Sequence, residues 1–510
     1  MSETPVTPAK QGAPRPEGGS GGTFDEFKRA GGALYRATEV DGRLLGLMIA
    51  LAIAWIGFDV ASRIWGQGGE SIFGGSFLTP RNLFNLSVQT ASVAVMATGM
   101  VLIIVSRNID LSVGSLLGFL AMVMGIFQKE VLPDFIGFDN QFTWLLALAL
   151  GLSVGALIGT LHGFLVAYLG IPAFLVTLGG MLVWRGGAFL LASGRTIAPL
   201  DENFSRIGGG TEGSLGRLGM DLGVGSSTLS WIIGIGVVLI LIALIISARR
   251  RRQAFGFPTR PMWAEVLVGA VGAILVLGAV WVVNSYHWPV RVAARYAEAE
   301  GIAVPEGGLL LSTGIAYPVL IMLAVAAVMT WVARRRQFGR YVFSIGGNPE
   351  AAELSGINVR RTIMLTFTVV GVLVAISAAI TSGRLDAATN ALGQWNELFV
   401  IAAAVIGGSS FAGGIGTIPG AILGALFMQT LQSGMVLIGF DTAQQNIVVG
   451  IVLVVAVGIG TAYRRRTATG RPTRPPCRRT RPRRRRAKSA DRCWPAQGCP
   501  PARRTSIAAA

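Results

Sequence analysis

Apolar stretches of about 20 residues recur along this chain, and each is long enough to cross a bilayer core about 30 Å thick as a helix. Twelve can be drawn, at approximately 44–65, 83–105, 110–128, 143–169, 172–193, 229–248, 263–283, 312–333, 362–383, 395–410, 415–438 and 445–463. In lipid every backbone amide needs a partner within the protein. Runs this long without period-two alternation meet that need as helices rather than barrel strands. The sequence therefore predicts an all-α polytopic membrane protein with about 12 transmembrane helices, within a range of 10–14. Composition agrees: charged residues make up 14% of the chain, against about 25% in soluble proteins, too few to cover several water-exposed domains.

Three regions follow. Residues 1–43 are polar and rich in Gly and Pro, with no apolar run before Leu44, which argues against a cleaved signal peptide. Residues 44–463 form the transmembrane domain. Residues 464–510 form a basic, Pro/Arg-rich tail without apolar periodicity, expected to be disordered. The tail holds sixteen Lys or Arg against one acid, Asp491, and so carries +15 of the net charge of +18. Because the charge sits there and not on a folded face, it gives no support to nucleic acid as a partner. Two readings of the tail stand: a polybasic arm for the headgroups of anionic membrane lipid, or an incidental extension of a protein that ends near Arg466. Cys477, Cys493 and Cys499 all lie in the tail, and His162 and His287 are the only histidines, so neither a disulfide framework nor a His/Cys metal cluster is available.

Arginine placement sets the direction of the helices. With the N-terminus in the cytoplasm, Arg107, Arg249 to Arg252, Arg260, Arg334 to Arg336, Arg340, Arg360, Arg361 and Arg464 to Arg466 all fall on the cytoplasmic side. This is the positive-inside asymmetry, and twelve spans then place both termini in the cytoplasm. Large external loops are expected near 194–228 and 284–311. Two Gly-rich stretches, 91–123 and 396–428, share one pattern of apolar run, polar or glycine break and small-residue helix, as a parallel repeat would.

The chain lacks an engine of its own. None of its lysines, Lys10, Lys28, Lys129 and Lys488, follows a glycine, so no P-loop can form. Carboxylates inside the spans are scarce, with Asp59, Asp110 and Glu397 the candidates, which disfavours a carrier driven by its own ion relay. Energy is expected from another subunit. The strongest local signal lies in the cytoplasmic loop after the eighth span. Asn348-Pro349 opens a short helix there, Glu350 and Glu353 occupy its first turn, where the dipole favours acids, and Gly356 closes it. Such a helix is either a rigid knob for another protein or an ordinary connector.

These residues carry a family resemblance. The EAAELSG of Glu350 to Gly356 resembles the coupling loop of ABC-importer permeases, and its setting, FGRYVFSIGGNPEAAELSGINV, is similar to the ribose/xylose branch of sugar permeases. NIDLSVGS (Asn108 to Ser115), the stretch from His162 to Gly186, and VIGGSSFAGGIGTIPGAILGAL (Val405 to Leu426) resemble that branch's other signature stretches, in the same order. The extra apolar pair near 229–283 is closest to the xylose-type members.

The resemblance implies an ABC importer permease fold in a bacterial inner membrane. It implies a permease homodimer, a separate ABC ATPase subunit that binds ATP and Mg, and a periplasmic sugar-binding protein. This chain itself would be no enzyme and would hold no cofactor and no metal. Carried over by motif, Glu350, Ala351, Ala352 and Gly356 would form the ATPase-coupling helix, the two alanines permitting close approach and Glu350 accepting charged hydrogen bonds.

Further candidates rest on residue type. Asp110 and Asn108 fit either a polar break in the pathway or the cap of the third span, with Asp110 as N-cap favoured. Arg185, inside an apolar run, fits either a cavity or snorkelling to the interface. His162 reads as a packed, hydrogen-bonded residue. Gly407, Gly408, Gly413, Gly414 and Gly416 either bend the chain or allow close helix packing. Arg195, Arg206 and Arg291 are external, as candidates for acidic knobs of a binding protein or as solvated loop residues.

Overall fold

The computed structural model describes residues 42–65, 71, 73–137, 140–301 and 309–469. Of the expected polar N-terminal segment, residues 1–41 lie outside the described residues, and so does the basic tail beyond Thr469. The described residues up to Gly460 belong to one compact unit, and the helical residues Thr461 to Thr469 to a second.

Every regular element among the described residues is a helix. In chain order they are α1 (Gly42–Trp65), α2 (Pro80–Val105) and α3, which runs from Val113–Ile126 through a π-helical turn at Phe127–Val131 into Leu132–Ile136. Next come α4 (Thr143–Ala167), α5 (Ala173–Leu191), α6 (Glu202–Arg206), α7 (Leu215–Asp221), α8 (Thr228–Ala254), α9 (Met262–Asn284) and α10 (Val290–Ala299). The chain continues with α11 (Tyr317–Arg335), α12 (Gln337–Gly347), α13 (Pro349–Leu354), α14 (Val359–Leu385), α15 (Asn396–Ile406), α16 (Ile418–Leu437) and α17 (Thr442–Thr469).

Ten of the described helices are long and apolar enough to cross a membrane: α1 to α5, α8, α9, α11, α14 and α16. Of the other two expected spans, α15 has only 11 residues, whereas α17 is a helix of 28 residues that contains the expected stretch 445–463. The shortness of α15 has a visible cause, because the chain from Ala388 to Trp395 runs antiparallel along α3 without helical structure. A Cβ placed on Gly125 would meet Ala388, one on Gly118 would meet the Leu392 carbonyl, and one on Gly114 would meet the Gly393 carbonyl. Those three glycines span about 16 Å of helix, so irregular backbone makes part of this crossing and α15 makes the rest. Backbone of this kind is tolerated at membrane depth where protein surrounds it. Here Ile197 and Ala388 exchange hydrogen bonds of 3.0 and 2.9 Å.

α2 is the central helix, its apolar window 94% buried, and it packs against α11, α14, α15 and α16. α4 and α14 form the closest pair. Gly155, Gly159 and Gly163 recur every fourth residue on α4, and a Cβ on any of them would meet α14 backbone within 2.7 Å. This is the small-residue spacing by which membrane helices approach without a hydrophobic drive. α8 and α9 sit apart, packed chiefly on each other and largely exposed, with Arg249 paired to Glu265 at 2.8 Å. Beyond α9, Trp288, Ala293, Tyr296 and Leu311 close a small core of their own around α10.

Candidate functional site

The loop between α11 and α14 folds as the sequence predicts. Asn348 caps α13, its Oδ1 accepting the Ala351 N–H at 3.1 Å, and Pro349 occupies the first turn, where no N–H is needed. The other end closes on Gly356, whose φ of +81° places it in the left-handed region. The Gly356 N–H reaches the Glu353 carbonyl and the Ile357 N–H reaches that of Ala352. Glu350, Ala351 and Glu353 are exposed. Ala352 is buried, which corrects the expectation of two alanines offered to a partner: the helix turns Ala352 inward and leaves Ala351 as the small contact. Leu354 is 90% exposed, an apolar tip the sequence reading passed over.

The base of this knob is held by Arg107, read from sequence only as an inside charge. Arg107 ends α2 with φ +64°, a left-handed position where glycine is usual. Its Nε donates to the Gly346 carbonyl and its NH2 to the Gly347 carbonyl, both at 2.8 Å. Those are the last carbonyls of α12, directly before the Asn348 cap. The loop between α15 and α16 closes over the same point, with the Gly414 N–H on the Val105 carbonyl at 3.0 Å. A Cβ on Gly413 would lie 2.5 Å from Arg107 Cγ. α2, α12 and the glycine loop therefore meet at one residue beside α13.

Both readings of the glycines hold, at different positions. Gly408, Gly413 and Gly414 have φ of +97°, +84° and +72° and turn the chain. Gly407 allows close packing instead, since a Cβ there would lie 2.3 Å from Gly420 backbone. Gly416 is also a packing glycine, close to Val101 and Val105.

Asp110 is not the N-cap of α3, which begins at Val113 after Ser112. Its Oδ1 accepts the Ser112 N–H at 2.8 Å and the Ser112 hydroxyl at 2.6 Å, a side-chain turn that ends at Ser112, directly before the helix. Asn108 is half-buried and donates to Ser106, its near neighbour in sequence. His162 is buried, as read. Trp184 Nε1 donates to its Nε2 at 3.1 Å, so the ring proton is assigned to Nδ1, which faces Ser112 Oγ at 3.4 Å. Asp110, Ser112, His162 and Trp184 thus tie the start of α3 to α4 and α5.

Arg185 resolves in neither expected way. Its NH1 donates to the carbonyls of Asn390 and Leu392 at 2.9 and 3.0 Å, satisfying the irregular stretch ahead of α15. Glu397 lies buried beside the start of α3, close to Gly114. Of the arginines expected on the external side, Arg195 pairs with Glu130 and Arg206 with Glu202, while Arg291 is exposed.

This arrangement, a polytopic helical bundle with broken crossings and a capped surface helix wired to its central helix, is that of a membrane transport permease. The family described as "Branched-chain amino acid transport system / permease component" matches residues 82–457, and the chain belongs to it. Among its relatives, the xylose transport system permease protein XylH of Escherichia coli (strain K12) is 37% identical over 398 residues, covering 77% of this chain and 88% of that protein. XylH of Haemophilus influenzae is 34% identical over 434 residues, 85% of this chain and 100% of its own length. The ribose import permease protein RbsC of Escherichia coli (strain K12) is 28% identical over 382 residues, with coverage of 75% and 86%. No solved structure matches the chain. The chain is a transport component and not an enzyme.

Proposed function

We propose that this chain is the membrane-spanning subunit of an ATP-driven importer for a monosaccharide, with xylose or a related pentose as cargo. The observation that carries the reading is the capped helix α13. It presents Glu350, Ala351, Glu353 and Leu354 at the surface while Arg107 ties its base to the central helix. A motor subunit gripping this knob would move α12 and, through Arg107, the end of α2. In this reading two copies of the chain form the pathway in a bacterial inner membrane, with both termini in the cytoplasm. Two ATPase subunits carry ATP and Mg on the face that displays α13, this chain holds no cofactor, and a periplasmic binding protein delivers sugar to the other face. The relatives named for xylose, ribose and galactose transport support the cargo class.

The test is labelled-xylose uptake into proteoliposomes holding this chain with its partner ATPase and sugar-binding protein. Uptake that needs all three proteins and ATP supports the reading, and uptake by the chain alone on an ion gradient overturns it. Glu350→Lys is expected to leave membrane insertion intact and to reduce both uptake and ATPase recruitment. One specific observation favours a second cargo, because the matching family is described by branched-chain amino acid transport. Competition of uptake by leucine against xylose separates the two.

A further inference from the structure

The end of α2 remote from Arg107 bears polar residues that neither capping nor coupling uses. Asn82, Asn85, Gln89 and Ser92 follow one another at intervals of three, four and three residues. At 100° per residue they fall within an arc of about 80°. Ser87 and Thr90, which interrupt the series, bond back to carbonyls of their own helix at Phe84 and Leu86. The stripe reaches outward instead. Asn82 Oδ1 accepts the Ser433 hydroxyl at 3.0 Å, and Gln89 Oε1 accepts from Gln429 Nε2 at 2.9 Å. The same Gln429 nitrogen donates to Gln432 Oε1 at 3.0 Å. Deeper in, Ser92 Oγ meets the hydroxyls of Ser377 and Thr381 at 2.6 and 2.7 Å. Asn85 is exposed in the middle of the series, and Asn82, Gln89, Gln432 and Ser433 are half-buried.

We propose that this amide stripe, centred on Asn85, Gln89 and Gln432 between α2 and α16, is the sugar-contacting surface of the translocation pathway on the side away from α13. Three features carry it. An exposed asparagine within an apolar spanning helix is costly against lipid and marks a face that meets water or protein. The stripe's own side chains carry no charge, and each amide offers both a donor and an acceptor, which suits the hydroxyls of a neutral polyol and not a carboxylate or an ammonium group. Finally, the series grades from exposed Asn85 through half-buried Gln89 to buried Ser92, a polar track from the open end toward the centre of the bundle. Hydrogen bonds already made within the stripe set the expected affinity low, because a sugar must exchange partners with Gln429 and Gln432 and cannot fill empty sites. The assignment to sugar rests on the cargo proposed above.

Two measurements on the full-length chain in membranes test it. In a background with Cys477, Cys493 and Cys499 changed to Ser, Asn85→Cys is exposed to a membrane-impermeant methanethiosulfonate, with Ile53→Cys on the exposed face of α1 as the lipid-facing reference. Asn85→Cys is expected to react about 10-fold faster or more, as a group in water does when its thiolate can form, and xylose-loaded binding protein is expected to slow that reaction. In the reconstituted importer, Gln89→Leu is expected to lower xylose uptake about 10-fold, the loss of roughly one hydrogen-bonding group. ATP hydrolysis by the same complex stays near its unsubstituted rate, and Gln89→Asn restores part of the uptake. Labelling of Asn85→Cys as slow as that of Ile53→Cys overturns the proposal and leaves the stripe as glue between helices, as does full uptake by Gln89→Leu. Should Gln89→Leu fail to assemble, the labelling result decides alone. If Asn85→Cys labels quickly while the unsubstituted complex moves no sugar, the sugar assignment falls with the cargo reading and the water-facing stripe stands.

Discussion

Two breaks in the helical bundle, residues 106–112 between α2 and α3 and residues 407–417 between α15 and α16, follow one plan with different chemistry. The first is held by side chains. Arg107 takes the left-handed turn, Asp110 binds Ser112, and Ser112 faces His162. The second turns on Gly408, Gly413 and Gly414, and its exit helix is capped by Thr417, whose hydroxyl accepts the Gly420 N–H at 3.3 Å. An arginine in the left-handed region costs roughly 1 to 2 kcal/mol that glycine avoids. At this turn the guanidinium makes two charged hydrogen bonds to α12 that glycine cannot make. The glycine break supplies the room, since Gly413 lies against Arg107 and Gly414 against Val105. One break therefore makes the link to α13, and the other makes space for it.

Filling that space should have the largest effect. A Cβ on Gly346 would lie 1.8 Å from the Val105 carbonyl and 2.5 Å from the Gly414 nitrogen. Both neighbours are backbone, so relief requires α2, α12 or the glycine loop to move. Gly346→Ala is expected to destabilise by about 3 kcal/mol or more, the upper range for overpacking. Thermal unfolding and the monodisperse yield in detergent check this; an unchanged profile would mean that the three elements do not meet as described.

The next substitution separates stability from coupling. Arg107→Gly removes the guanidinium but suits the left-handed backbone, so the lost hydrogen bonds and the relieved strain offset each other to within about 1 kcal/mol. If Arg107 carries motion from α13 to α2, uptake should fall about 10-fold, a typical coupling free energy, while ATP hydrolysis in the assembled complex continues. Arg107→Lys, with one donor group to share between two carbonyls, is expected to fall between. Equal loss of hydrolysis and uptake would assign Arg107 to assembly alone.

The comparison also shows how far the sequence could be read. Length and apolarity were enough for the helical bundle, because a helix in lipid has few alternatives. Asn348, Pro349 and Gly356 were enough for α13, because a cap, a first-turn proline and a closing glycine are local signals. Arg107 was hidden, since nothing in a single sequence distinguishes an arginine bonded to Gly346, 239 residues away, from one that merely faces the cytoplasm. The roles of Asp110 and Arg185 turned on where helices begin. α3 starts later and α15 is shorter than an apolar count suggests, and both offsets arise from backbone held by tertiary contacts that hydropathy does not register. A left-handed turn ending α2 could have been suspected from the polar run Ser106 to Asn108 that follows an apolar stretch. Its partner could not.

The smallest expected effect is at the knob itself, and it sharpens the contrast between a local cap and a distant tie. Asn348→Ala removes the acceptor of the Ala351 N–H, a loss of about 1 kcal/mol at an N-cap. α13 has six residues and is further closed by Gly356, so the penalty should fray its first turn without disturbing α2. Faster amide hydrogen exchange confined to Glu350, Ala351 and Ala352 is the direct readout. Because a frayed turn must be reordered on docking, ATPase recruitment should weaken about fivefold, the equivalent of that same 1 kcal/mol. The uptake achieved per ATP hydrolysed by complexes that do form should stay at the unsubstituted value, in contrast to Arg107→Gly. If Asn348→Ala instead lowered uptake per ATP, the cap and the arginine would act as one unit, and the division between a gripping surface and a transmitting tie would fail.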